Sequence, residues 1–188
     1  MDVSDINNVI TEIQKGNKNA LKDFVDTYKK FVLNVCFKFV NNIDDANDIA
    51  QEVFIEVYRS IEKFRGDSNI STWLYRIATN RSLNYLRDNK KYYTDESYSQ
   101  DPDYIKEVSS DSKSNPEENT INNERANVLN KAIDSLPDKQ KAVFILSKKD
   151  ELTSIEISKI LGLSVKAVES LMIRARKNLQ KLLVNYYR

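Results

Sequence analysis

The chain has 188 residues, of which 40% are hydrophobic, with three glycines, three prolines, one cysteine and no histidine. That length and apolar content allow one medium domain or two small ones, and so few helix breakers make long helices the default. The missing histidine excludes Ser-His-Asp and Cys-His catalysis, HExxH zinc sites and Cys/His zinc clusters, and the lone Cys36 excludes an internal disulfide.

No glycine-rich phosphate loop is present either, which leaves carboxylate-only catalysis open in form; with no cleft signal among mostly surface carboxylates, no catalytic residue, metal ligand or cofactor is expected. The most apolar run, Phe31 to Val40, is short and broken by Asn34 and Lys38. With no signal peptide visible, the expectation is a cytoplasmic protein without membrane insertion. Cys36 sits inside that run and reads as a buried thiol.

The net charge of +1 is unevenly divided. Residues 1–90 carry 13 basic and 13 acidic side chains, residues 91–120 carry 3 and 8, and residues 121–188 carry 13 and 7. An acidic linker therefore joins a neutral module to a basic one.

From Ser4 to Val40, the positions Ile6, Val9, Ile10 and Ile13, then Leu21, Phe24, Val25, Tyr28, Val32, Val35 and Phe39, keep a helical period on either side of Gly16. Two packed helices are predicted. Asn42 to Phe64 is predicted as a third, with Ala46, Ala50, Val53, Phe54, Val57, Ile61 and Phe64 on its inner face. Its outer face carries Asp44, Asp48, Gln51, Glu52 and Arg59 around an apolar island, Ile55. Carboxylates near the N-terminus suit the helix dipole, which accounts for the first turn only. An exposed isoleucine in a polar rim fits a protein-binding patch.

A polar loop from Phe64 then leads into a helix reaching Arg87. Ile70, Leu74, Ile77, Ala78 and Tyr85 gather on its inner side, with Arg81 the one misfit. Arg76, Asn80, Leu83, Asn84 and Arg87 form the opposite stripe, with Trp73 at its edge. Between Arg59 and Lys91 eight basic residues stand against three acids, interleaved with Trp73, Tyr75 and Tyr85. That pattern suits single-stranded nucleic acid, since rings stack on bases while cations track phosphates, and it equally suits a solvated face over core aromatics.

Residues 92–120 lose the apolar period and read as a linker. A second module starts near Ile121, with Val128, Leu129, Ala132 and Ile133 inward, and a further helix opens at Pro137. Thr153 and Glu156 have capping-box spacing, Gly162 makes a turn, and Ser164 can cap a long helix from Val165. This is a helix-turn-helix pattern. On the last helix Val168, Met172, Ala175, Leu179 and Leu182 face inward. Lys166, Ser170, Ile173, Arg174, Lys177 and Lys181 face outward, a stripe suited to the major groove: cations for phosphates and guanine edges, Ser170 for a polar contact, Ile173 for a thymine methyl.

Together these segments resemble the bacterial RNA polymerase sigma factors of the small two-domain, extracytoplasmic-function type. Asp45-Ala46-Asn47-Asp48-Ile49-Ala50-Gln51-Glu52-Val53-Phe54 is similar to the family's core-binding segment. Phe64-Arg65-Gly66-Asp67-Ser68, followed by Thr72-Trp73-Leu74-Tyr75-Arg76-Ile77-Ala78 and Asn80, resembles the loop and helix that open the minus 10 element. Leu136-Pro137, Glu156-Ile157, Leu161-Gly162-Leu163-Ser164 and Arg174-Ala175-Arg176 resemble the minus 35 reader.

The resemblance implies an all-α chain of two small helical domains, residues 1–91 and 121–188, joined by an acidic linker over 92–120. It implies an alternative sigma factor, with core RNA polymerase, through its largest-subunit clamp and its flap, and promoter DNA as partners; an anti-sigma factor is a further partner in this family. It assigns Asp48, Gln51, Glu52 and Ile55 to the clamp. It assigns Arg65, Gly66, Asp67, Ser68, Asn69, Ser71, Trp73, Arg76, Asn80 and Arg87 to the melted minus 10 strand, where a pocket of amides and hydroxyls beside a ring can offset the few kcal/mol of base extrusion. Lys166, Glu169, Ser170, Ile173, Arg174 and Lys177 fall to the minus 35 element. Nucleotide transfer and its Mg²⁺ belong to the core enzyme.

The recognition helix departs from the family's TVKSR run, with Ala167, Glu169 and Leu171 around Val168 and Ser170. Fewer cations and an added acid weaken general attraction to phosphates and favour a cytosine amino group facing Glu169. The residues by themselves leave open a helix-turn-helix regulator that binds duplex DNA without polymerase.

Overall fold

The computed structural model describes residues 3–64, 69–89 and 116–186. The expected loop residues Arg65, Gly66, Asp67 and Ser68, and residues 92–115 of the expected linker, lie outside them. Among the described residues every regular element is a helix, and the chain divides into two compact units, Met1–Asp101 and Pro102–Arg188.

The first unit holds α1 (Val3–Gln14), α2 (Lys18–Val40), α3 (Ile43–Ser60), a 3-10 turn (Ile61–Lys63) and α4 (Ile70–Asp88). Asparagines start α2, α3 and α4. The Asn17 carboxamide accepts from the backbone N–H groups of Asn19 and Ala20 at 3.0 and 3.3 Å, and Asn42 accepts from those of Asp44 and Asp45 at 2.9 and 3.1 Å. Asn69 accepts from Ser71 N–H at 3.0 Å. Each cap satisfies donors that a helix start leaves without a partner. At the far end of α2, Asn41 adopts φ 51°, a left-handed conformation that asparagine tolerates, and donates its N–H to Phe37 O at 2.8 Å.

Helices α2, α3 and α4 pack against one another. Val32, Val35 and Phe39 of α2, Ala46, Ile49, Val53 and Val57 of α3, and Leu74 and Ala78 of α4 are all buried. Each larger side chain contributes about 1.5–3 kcal/mol by leaving water. α1 packs on α2 and the 3-10 turn, burying Ile10 and Ile13, with Gln14 Nε2 donating to Ile61 O at 2.9 Å. Cys36 is buried as expected, and that burial pushes its thiol up to about 12, too high for a nucleophile near neutral pH.

The second unit holds α5 (Pro116–Asp134), α6 (Asp138–Lys148), α7 (Ser154–Leu161) and α8 (Val165–Tyr186). α5 begins at Pro116, upstream of Ile121, because proline costs no hydrogen bond in the first helical turn. α8 packs on α5, α6 and α7 around Ile133, Leu136, Ile145, Leu146, Ile157, Ile160, Val168, Ala175 and Leu179. Two residues expected to point inward do not close into this core. Leu129 and Leu182 remain 40% and 39% exposed. The groove between α5 and α8, lined by Val128, Ala132, Leu182 and Leu183, stays open to water.

Candidate nucleic-acid and protein interfaces

The outer face of α3 follows from its spacing. Asp48, Gln51, Glu52 and Ile55 recur at three and four residues, so they share one side, and all are exposed, Ile55 by 50%. Tyr58, one turn beyond Ile55, is 60% exposed and widens the apolar centre. The sequence reading missed it. Its signal was an aromatic residue three positions after Ile55 and off the buried stripe. Two large apolar side chains set among carboxylates, an amide and the exposed Arg59 fit a partner protein.

On α4, Arg76, Asn80 and Arg87 are exposed as expected, and Arg87 Nε lies 3.2 Å from Asp88 Oδ1. Asn69 spends its carboxamide oxygen on the helix cap, and Ser71 is half-buried beneath it. Trp73 is also half-buried, its ring centroid 5.0 Å from that of Phe64 at an interplanar angle of 52°. This contact joins the residues on either side of the 65–68 segment in sequence.

For the tyrosines, the core reading of the two left open by the sequence is the one that holds. Tyr75 packs edge-on against Phe31 at 4.9 Å, and Tyr85 donates its hydroxyl to Asp45 Oδ1 at 2.8 Å. Both therefore brace the bundle. Arg81, the misfit on the inner face, is explained by α3. Its guanidinium lies 2.7 Å from Glu56 Oε2 and 3.7 Å from Glu52 Oε2.

In the second unit the capping box expected at Thr153 is formed. Glu156 N–H donates to Thr153 Oγ1 at 3.3 Å, and Thr153 N–H donates to Glu156 Oε2 at 2.8 Å. The Thr153 backbone bond, followed by its side-chain bond, holds the Glu156 carboxyl below its ordinary range. Gly162 takes φ 65° and ψ 35°, a left-handed turn that a glycine makes without a Cβ clash. Ser164 Oγ then accepts from Ala167 N–H at 3.2 Å, so α8 starts where the spacing placed it.

The turn leaves the outer stripe of α8 open. Lys166, Glu169, Ile173, Arg174 and Lys177 are exposed, Ile173 by 68%. Ser170 is half-buried, and its hydroxyl accepts from Arg174 Nη2 at 3.2 Å, so it steadies the guanidinium one turn away. Asn178 Nδ2 donates to Gln140 Oε1 at 2.9 Å, tying the stripe's far end to α6.

Away from these faces lies a pair that the sequence reading did not find. Lys141, its side chain only 5% exposed, meets Asp134 across the turn between α5 and α6. Burial pushes the Asp134 carboxyl up against the downward pull of Lys141. A lysine leading the apolar run Ala142 to Leu146 was the available signal. Among the described residues, no three His, Cys, Asp or Glu side chains are grouped to hold a metal ion, and no helix is long and apolar enough to cross a membrane.

Two family models match along the chain: Sigma-70 region 2 over residues 24–92 and Sigma-70, region 4 over residues 126–179. The ECF RNA polymerase sigma factor SigW of Bacillus subtilis (strain 168) is 36% identical over 177 residues, covering 93% of this chain and 94% of that protein. The ECF RNA polymerase sigma-E factor of Escherichia coli (strain K12) is 33% identical, covering 90% and 89%. Among solved structures, CnrH in complex with the cytosolic domain of CnrY shares the fold, with a TM-score of 0.62 at 23% identity over 94% of this chain and 96% of that one. The chain thus belongs to the sigma-70 family, among its ECF RNA polymerase sigma factors. Its function is that of an alternative sigma factor directing transcription initiation.

Proposed function

We propose that this sigma factor docks on core RNA polymerase through α3 and reads promoter DNA with α4 and α8. One observation carries the reading: Ile55 and Tyr58 stand exposed inside the rim of Asp48, Gln51 and Glu52. In a regulator that bound duplex DNA alone this face would serve dimerisation or sensing instead, and binding to core polymerase separates the two readings. The clamp of the largest subunit is the expected partner there, with the flap meeting the second unit.

In this reading Asn69, Ser71, Trp73, Arg76, Asn80 and Arg87 receive the melted minus 10 strand together with Arg65, Gly66, Asp67 and Ser68. Modules at 1–91 and 121–188 act on separate promoter elements, with the acidic linker of residues 92–120 between them in the sequence. On α8, Lys166 and Lys177 neutralise phosphates, while Arg174, steadied by Ser170, and Ile173 meet base edges. Glu169 would be repelled by the backbone, and its carboxylate is offset best by a cytosine N4 amino group in the major groove. The chain makes and breaks no bond itself, holds no cofactor and works in the cytoplasm. An anti-sigma factor covering the α3 and α8 faces would hold it inactive.

Run-off transcription tests the reading. Transcripts from a cognate promoter are expected only when this chain and core polymerase are combined. The double variant Asp48→Ala/Gln51→Ala should lose core binding while keeping affinity for minus 35 duplex. Transcription or core binding unaffected by that variant would remove α3 from the mechanism.

A further inference from the structure

The α3–α4 pair is held by two kinds of contact. Apolar side chains, among them Val53, Val57, Leu74 and Ala78, fill the interface, and they tolerate small rotations because dispersion is not directional. Polar contacts are directional, and two lie at successive levels of α4: Arg81 to Glu56 at 2.7 Å, and Tyr85 to Asp45 at 2.8 Å. Arg81 is four residues before Tyr85 and one after Asn80, so these contacts set the angle at which Arg76 and Asn80 leave the bundle.

We infer that Arg81 is a positioning residue that fixes the rotation of the strand-binding helix α4 against the polymerase-docking helix α3. The inference rests on the roles proposed above for those helices. Arg81 reaches two carboxylates one turn apart on α3, and it does so unequally. Glu56 is bonded at 2.7 Å, whereas Glu52, in the proposed polymerase rim, is held loosely at 3.7 Å. Polymerase can therefore draw Glu52 away while the Glu56 bond stays closed. Docking and strand alignment are then joined through one guanidinium whose anchor survives the docking.

The consequence is a split between two measurements on the assembled holoenzyme. Arg81→Ala and Glu56→Gln should change core affinity by no more than about twofold, because Glu52 is only loosely held, yet lower promoter opening about tenfold, since small misalignments of a binding group are costly. Opening is read as permanganate reactivity of minus 10 thymines at saturating core, where any loss of folded chain has already been compensated by titration. The reciprocal variant Arg81→Glu/Glu56→Arg restores the contact with its polarity reversed and should recover most of the opening.

Three results would overturn the inference: single variants that open promoters as the parent does, core affinity and opening falling in parallel, or no recovery in the reciprocal variant. A parent chain that fails to open any promoter with core would instead remove the proposed function on which the inference rests.

Discussion

Each unit carries an ion pair between two helices, and the two pairs sit in opposite surroundings. Arg81 and Glu56 keep side-chain exposures of 34% and 36%, whereas Lys141 and Asp134 keep 5% and 20%. Water already solvates much of the first pair, so it adds little to stability, about 0–1 kcal/mol, and its contribution is directional. Desolvation makes the second pair a structural commitment, because either partner left alone is a buried charge. Both begin from the same sequence signal, a cation inside an apolar period. The outcome depends on how much of the neighbouring helix covers it.

The helices that carry the proposed DNA contacts differ in the same sense. On α4 the rings and one guanidinium are already engaged inside the bundle: Trp73 with Phe64, Tyr75 with Phe31, Tyr85 with Asp45 and Arg81 with Glu56. On α8, among the described residues, the outer stripe is engaged by the bond between Arg174 and Ser170 and, at its far end, by that of Asn178 with Gln140. A DNA-facing side chain on α4 is therefore one that the fold left over or, like the half-buried Trp73, left partly uncovered, whereas on α8 nearly the whole stripe remains available.

The largest expected effect probes the buried pair. Lys141→Ala leaves the Asp134 carboxylate without its partner and should cost about 3 kcal/mol, the low end for breaking such a pair because Asp134 keeps some exposure. A lowered thermal midpoint for the second unit would register it. Arg81→Ala should move the first unit by less than about 1 kcal/mol. Equal shifts in the two units would erase the contrast drawn from their burial.

Next comes the exposed face of α3. Tyr58→Ala should weaken core polymerase binding by about 2 kcal/mol, as for a large aromatic at the centre of an interface, with the thermal midpoint unchanged. Fluorescence titration of labelled chain with core polymerase measures it. An unchanged affinity would confine the docking surface to the residues first read from the sequence.

On α8, Glu169→Gln should move the base preference at one minus 35 position from cytosine towards adenine, a discrimination of about 1–3 kcal/mol. It should also raise general affinity for duplex, because an acid leaves the cationic stripe. Selection from randomised duplexes with parent and variant would show the change, and identical preferred sequences would place Glu169 outside the readout.

These expectations mark where the sequence was legible. Helical period gave the all-α class, the inner faces of α3 and α4, the Thr153 cap and the outer stripe of α8, because each is set within one helix. What it could not give depended on a second element. Arg81 looked misplaced until Glu56 arrived from α3, and whether the aromatics were stacking platforms or core stayed open until Phe31 met Tyr75 and Asp45 met Tyr85. Leu129 and Leu182 kept the inward period, yet period marks a face and not whether a neighbour closes over it. Tyr58 needed only the question of what stands one turn beyond Ile55.

The smallest expected effect uses two carboxyls of the second unit that respond to pH with opposite sign. Glu156 is held below its ordinary range by Thr153, so its contribution to the start of α7 is present above the unfolded value and is lost as pH falls through the folded one. Asp134 is pushed up by burial, so its contribution is present below the unfolded value and is lost as pH rises through the folded one. Acidification should therefore loosen the α7 cap while relieving the desolvation of Asp134. Carboxyl NMR titration, read beside amide exchange at Glu156, resolves the two. A Glu156 carboxyl titrating in the ordinary glutamate range would mean that Thr153 and Glu156 do not hold the cap in solution, and α7 would then owe its start to packing against α8.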